Sequence, residues 1–134
     1  MPGVALLDGV EYRTAFSRAL GYGGVLHGGG ALTGRRVRAI WDSAGAGNLA
    51  AALALDRQNA LFLAGVYTRF SRPLQNTIRQ KYALKLLGVL DHETTLVEQH
   101  LDEGSKSRIA AIVESHRDWL VGSPDPDCPD ADLA

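Results

Sequence analysis

The chain has 134 residues, of which 46 % are hydrophobic and 22 % charged, and its formal net charge is −1. These values predict one globular domain and argue against a dedicated, strongly basic nucleic-acid-binding protein. No stretch approaches the roughly 18 consecutive apolar residues of a membrane span. The single cysteine, Cys128, allows no internal disulfide, so we expect a cytoplasmic protein without a membrane partner.

The first predicted element is a short helix after Asp8. Asp8 and Glu11 have the spacing of the N-cap and N3 residues in a capping box, and Gly21 suits the position after the helix end. Residues 21–34 are rich in glycine, which loses more conformational entropy on ordering than any other residue. We expect a loop there, either a linker or a loop that wraps a ligand.

Residues 35–70 allow two interpretations. Between residues 47 and 70, a seam of residues that are mostly apolar recurs at alternating spacings of four and three, as in packed helices, and Asp56 stands on it. Further apolar residues lie off this seam, so the helix would be apolar on several sides and would suit an oligomer. The alternative is a small α/β unit with strands near 36–41 and 60–67.

Three further helices are predicted after residue 72, each with a start signal and a glycine near its end. The first is predicted to run from Pro73 to Gly88, the second from Asp91 to Gly104 and the third from Ser105 to Gly122. The sequence therefore predicts an all-α fold: a small helical bundle with a Gly-rich N-terminal segment, in a single domain over 1–122. Residues 123–134 hold four Asp and no basic residue, and we expect a disordered acidic tail.

Two short motifs resemble those of the hormone-sensitive-lipase group of α/β-hydrolases. Residues 27–30 read His-Gly-Gly-Gly, and residues 42–45 read Asp-Ser-Ala-Gly. The resemblance implies that Ser43 is a nucleophile and that Gly28 and Gly29 offer N–H groups to an oxyanion. Trp41 stands where the family has a glycine before the nucleophile.

Residues 45–50 also fit the pattern Gly-x-Gly-x-x-Ala of dinucleotide-binding turns. With strands near 36–41 and 60–67, this motif would bind the pyrophosphate, and Arg69 and Arg72 would lie near a 2′-phosphate. The structural alternative is a helix start whose small residues let two backbones approach closely.

The charges of the second half are segregated. Residues 69–85 hold five basic and no acidic side chains, whereas residues 91–103 hold five acidic and no basic ones. In one interpretation, the two segments form ion pairs with each other. Alternatively, the basic segment binds phosphate or nucleic acid. The candidate anion-binding residues are Arg69, Arg72, Arg79 and Lys85.

Two histidines are candidates for a metal site. His92 and His116 each lie twelve residues from Gly104, so an antiparallel helical hairpin turning at Gly104 would bring them level. This hairpin resembles the last helices of the ligand-binding domain in GntR-type regulators, and that resemblance implies helix-borne histidine ligands.

These observations favour a non-enzymatic protein that acts through protein contacts, by self-association or as a subunit of a larger assembly. The first alternative is a regulatory module that binds a small anion, a metal or nucleic acid. The second is a nucleotide-binding or serine-hydrolase-like fragment around residues 27–50. No cofactor is assigned.

Overall fold

The computed structural model describes residues 4–67, 73–96 and 99–121. Its elements are, in chain order, β1 (Leu7–Asp8), α1 (Thr14–Ala19), β2 (Gly24–Val25), α2 (Gly30–Gly45), α3 (Leu49–Val66), α4 (Pro73–Leu86) and α5 (Glu103–Ser115). The predicted all-α class is confirmed. The alternative with strands near 36–41 and 60–67 is wrong, because α2 contains the first range and α3 nearly all of the second.

The two short strands pair in parallel, with Leu7 opposite Gly24 and Asp8 opposite Val25. Helix α1 lies between them in sequence, so the N-terminal segment is a small β–α–β unit. The Gly-rich segment 21–34 is therefore not one continuous loop, since it contains β2 and the start of α2. Glycine permits the close approach of the strands, because a Cβ on Gly24 would lie 3.0 Å from Leu7 Cδ2.

Helix α3 is the central element and packs against α1, α2, α4 and α5. This explains why its sequence is apolar on several sides. Its close contact with α5 depends on a small residue, since a Cβ on Gly65 would lie 2.9 Å from Ile112 Cδ1. The main core cluster draws residues from four helices and the segment after α5. Its buried members are Leu32, Phe62, Leu63, Val66, Tyr67, Ala83, Leu84, Leu87, Ile109, Val113 and Leu120.

A Schellman motif ends α2. Gly47 has φ +82°, its N–H donates to Ala44 O, and the N–H of Asn48 donates to Ser43 O. The Asn48 side chain then caps α3 by accepting from Ala51 N. The Gly-x-Gly motif at 45–47 is thus a helix end followed at once by a helix start. The predicted helix ends at Gly21 and Gly88 have the same left-handed backbone, with φ +84° and +74°.

The predicted capping box at Asp8 and Glu11 is wrong. Helix α1 begins at Thr14, and Asp8 lies in β1. The Asp8 carboxylate accepts from Val10 N at 3.1 Å, so it forms a local turn before the helix, as aspartate often does. Glu11 instead accepts a hydrogen bond from Gly29 N, far along the chain.

The predicted helix from Asp91 to Gly104 is also absent, because the described residues 91–96 and 99–102 are not helical. Helix α5 begins earlier than predicted and contains Gly104. Its N-cap is Asp102, whose Oδ1 accepts from Ser105 N at 2.7 Å. The predicted start of this helix is Ser105, but the carboxylate of Asp102 caps it instead.

We expect Gly47→Ala to lower the free energy of unfolding by about 1–2 kcal/mol, because a Cβ is strained in the left-handed region. Gly34→Ala is the matched control. Gly34 lies within α2 with nothing within 4 Å of its added Cβ, so this change should stabilise the protein by about 0.4–1 kcal/mol. Urea denaturation of both variants measures the difference, and equal effects would contradict the strain argument.

Candidate functional site

The β–α–β unit exposes most of the large apolar side chains that face solvent. Among the described residues, twelve large apolar side chains are exposed, and eight of them lie within residues 4–26. We call these eight the N-terminal apolar surface: Val4, Leu6, Leu7, Val10, Tyr12, Phe16, Leu20 and Leu26. Such a concentration of apolar side chains in one unit is typical of an interaction site.

The strand pair carries exposed leucines on both faces, although Asp8 of β1 is buried. Leu6 and Leu7 are consecutive in the strand segment, so they point to opposite faces, yet they are 63 % and 58 % exposed. Leu26, just after β2, is 74 % exposed. Parallel sheets in proteins are normally buried on both faces, and a two-stranded sheet is marginal on its own. The described residues of this chain therefore leave the strand pair without the cover that such sheets usually have.

A polar network at Asp8 holds this unit together. The carboxylate of Asp8 accepts from Arg13 Nε at 2.8 Å and from Arg13 Nη2 at 3.0 Å, and also from the Ser17 hydroxyl. Asp8 is 4 % exposed. The Arg13 guanidinium and the Ser17 hydroxyl hold the pKa of the Asp8 carboxyl far below its usual range. This ionised carboxylate joins β1 to α1.

A second polar group lies where α1 meets α3. Asp56 of α3 is buried, and its Oδ2 accepts from Ala15 N at 3.0 Å. Its Oδ1 has no hydrogen-bond partner among the described residues. The same is true of five other buried polar atoms: Thr14 Oγ1, both ring nitrogens of His27 and both amide atoms of Asn59. We call Thr14, His27, Asp56 and Asn59 the buried polar cluster. Unpaired buried polar atoms are costly, so such clusters often mark a functional position.

Burial also shifts the pKa of two groups in the buried polar cluster. It raises the pKa of the Asp56 carboxyl, while hydrogen bonds from Ala15 N and Thr14 N act in the opposite sense. Burial lowers the pKa of the His27 imidazole, against the attraction of the nearby carboxylates.

The loop that carries His27 is held from two sides. Glu11 accepts from Gly29 N, and Gln80 Nε2 of α4 donates to Gly28 O at 2.5 Å. A Cβ on Gly29 would lie 2.8 Å from Leu63 Cδ2, so only glycine fits against α3 at this point. The His-Gly-Gly-Gly sequence thus serves close packing between the loop and α3.

Ser43 is not presented on a turn. It lies within α2, near the helix end, and it is half-buried. The hydrolase and dinucleotide interpretations both require a strand before residue 42, and α2 occupies that range instead. The geometry of a nucleophile elbow is therefore absent at Ser43.

The candidate anion-binding residues have different positions. Arg69 and Arg72 lie outside the described residues. Lys85 Nζ donates to Glu93 Oε2 at 2.5 Å, so at least one basic side chain pairs with the acidic segment of the same chain. Arg79 is only 8 % exposed and lies in the protein interior. Among the described residues, then, Arg79 and Lys85 do not form an exposed basic stripe.

The two candidate metal-ligating histidines have separate surroundings. His92 is exposed in the segment after α4, and its Nδ1 hydrogen-bonds to the Thr94 hydroxyl. The ring of His116 packs on Phe62 and Trp119, with centroids 5.4 and 5.3 Å away. Within the described ranges, no group of three or more His, Cys, Asp or Glu residues is placed to hold a metal ion.

The buried polar cluster was missed at the sequence level. Asp56 stood on the apolar seam of the predicted helix, and a charged residue at such a position is a usable signal for a buried polar contact. Asn59 belongs to a run of four polar residues, 56–59, within an otherwise apolar segment. The helix is continuous there, so these side chains face the protein interior.

We expect Asp8→Asn to reduce the free energy of unfolding at neutral pH, because it removes the ion pair with Arg13. The folded-state pKa of Asp8 is lowered, so its contribution is full above about pH 5 and is lost as the pH falls below the usual carboxyl range. Urea denaturation at pH 7 and pH 3 should show a smaller difference between the two proteins at pH 3. Asp42→Asn, in an exposed pair with Arg38, is the control and should cost about 0–1 kcal/mol.

We expect Asn59→Leu to raise the free energy of unfolding by about 1–3 kcal/mol. The change removes two buried amide atoms that have no partner among the described residues, and such atoms carry a desolvation penalty of that size. Gln58→Leu, on the exposed face of the same helix, should change stability by less than about 0.5 kcal/mol. A loss of stability in the Asn59 variant would show that its amide is satisfied in the folded protein.

The chain matches no protein-family model, and no curated protein matches it. Within the described ranges, no helix has both the length and the apolar character needed to cross a membrane. The arrangement of the described residues therefore carries the functional argument.

Proposed function

We propose that this protein acts through protein–protein contacts, and that the N-terminal apolar surface is its contact site. The observation that supports this is the exposure of eight large apolar side chains within one β–α–β unit. The partner is a second copy of the chain or another subunit of a larger assembly. Since the only cysteine is Cys128, a reducing, cytoplasmic location suits the proposal.

The number of exposed apolar side chains bears on the strength of binding. Covering one fully exposed leucine contributes at most about 1.5–3 kcal/mol. Association itself costs on the order of 4–15 kcal/mol in lost translational and rotational freedom. Several apolar side chains must therefore be covered together, and the N-terminal apolar surface offers eight in 23 consecutive residues, 4–26.

The position of the surface differs from the sequence-based expectation. Helix α3 was expected to provide the contact, because it is apolar on several sides. Its neighbours cover most of that apolar area, and only Leu49 and Leu61 of α3 stay exposed among its large apolar side chains. The support for association therefore comes from the N-terminal unit instead.

We expect the double variant Leu6→Ser, Leu26→Ser to abolish concentration-dependent association, because both leucines lie on the uncovered strand pair. Sedimentation velocity over a range of protein concentrations measures the mass. Leu61→Ser is the matched control, since Leu61 is 65 % exposed on α3, and it should associate as the wild type does. Circular dichroism checks that each variant keeps its helices.

A wild-type protein that stays monomeric at every concentration would contradict self-association. Binding of a hydrophobic fluorescent dye provides a second measurement. The wild type should bind the dye in its monomeric form, and the double variant should bind much less. Equal dye binding by the wild type and the double variant would remove the N-terminal apolar surface as the site.

A further inference from the structure

Arg79 is an arginine whose charge lies in the protein interior. It belongs to α4 and is 8 % exposed. Its Nη2 donates to the Ser105 hydroxyl at 3.2 Å. Its Nε and Nη1 have no hydrogen-bond partner among the described residues. A guanidinium carries five N–H donors and stays charged, and burying such a group without acceptors is costly.

The nearest carboxylate among the described residues does not pair with Arg79 directly. Asp102 accepts from Ser105 N at 2.7 Å and from Ser105 Oγ at 2.8 Å. Arg79 therefore reaches Asp102 through the hydroxyl of Ser105. The carboxylate is fully engaged in capping α5, and the remaining donors of the guanidinium are left for another acceptor.

A cavity of about 150 Å³ has Arg79 among its lining residues. Its wall is formed by the N-terminal half of α4 and by the segment that precedes α5. The lining residues are Ile78, Arg79, Gln99, His100, Leu101 and Asp102. A second cavity of about 70 Å³ shares four of these residues and adds Glu93 and Lys106. The space is large enough for a small ion.

The other polar groups of the cavity narrow the chemistry of its ligand. Gln99 Oε1 is buried and has no hydrogen-bond partner among the described residues. It presents an acceptor, whereas Arg79 presents donors. A ligand that satisfies both must carry acceptor oxygens for the guanidinium and at least one O–H group for Gln99 Oε1. Hydrogen phosphate has both, and sulfate of similar size has no O–H group at neutral pH.

We propose that this cavity is a binding site for a small protonated oxyanion of the phosphate class. Arg79 provides the charge-assisted hydrogen bonds through Nε and Nη1. Gln99 accepts a hydrogen bond from the protonated oxygen. The site is separate from the N-terminal apolar surface, so its test does not depend on the proposed association.

The test is calorimetric titration of the full chain with inorganic phosphate, with sulfate and chloride at matched ionic strength. The wild type should bind phosphate with a one-to-one stoichiometry and sulfate more weakly. Arg79→Met should weaken phosphate binding by at least about tenfold, because it removes the charge-assisted hydrogen bonds. Arg57→Gln, an exposed position on α3, should leave binding unchanged.

A second variant keeps the test informative if Arg79→Met does not fold. Gln99→Leu removes the acceptor and leaves the charge in place, so it should reduce the preference for phosphate over sulfate. Circular dichroism confirms the helical content of each variant. The proposal is overturned if the heat released on titration with phosphate does not exceed that with chloride, or if sulfate binds the wild type as tightly as phosphate. It is also overturned if both site variants bind phosphate as the wild type does.

Discussion

The carboxylate of Asp56, in the middle of the central helix, fixes the N-terminal unit to the rest of the fold. It accepts from the first backbone N–H groups of α1, which would otherwise lack partners at the start of that helix. Helix α1 in turn is joined to β1 through Asp8, Arg13 and Ser17. Removing the Asp56 carboxylate would leave the buried N–H of Ala15 unpaired at the contact between α1 and α3, while the packing of α1 on α2 would remain.

The position of this contact also determines which surface stays open. Helix α1 meets α3 through its N-terminal end, while Phe16 and Leu20 remain exposed. The strand pair lies beyond α1 and is not reached by the bundle core. The same arrangement that satisfies the polar groups therefore leaves the apolar side chains of the unit uncovered.

The sequence predicted the fold best where helix ends depend on neighbouring residues alone. Pro73 begins α4, and Gly21 and Gly88 follow the ends of α1 and α4, because a left-handed backbone requires glycine at that place. The predictions at Asp8 and at Asp91 were wrong for a common reason. An aspartate is suited both to a turn and to a helix cap, so its presence alone does not show where a helix begins.

The candidate sites were harder to predict, because their residues meet only in the folded chain. Thr14, His27 and Asp56 belong to three separate segments, and no local spacing joins them. Arg79 was identified as an anion-binding candidate from its charge, as one of several basic residues expected on an exposed helix face. Its burial depends on where residues 99–102 lie, and the sequence indicated a helix near that segment. Spacing along a helix can indicate a face, but it cannot indicate which loop covers that face.

The short connection between α2 and α3 has a kinetic consequence. Only residues 46–48 separate the two helices, so their contact closes a small loop at low entropic cost. Such local contacts favour fast folding. The strand pair joins residues 7–8 to residues 24–25, which lie farther apart along the chain. The contact between α3 and α5 spans a longer stretch still, so closing it carries the largest entropic cost of the three. We therefore expect the α2–α3 hairpin to form before α5 docks on it.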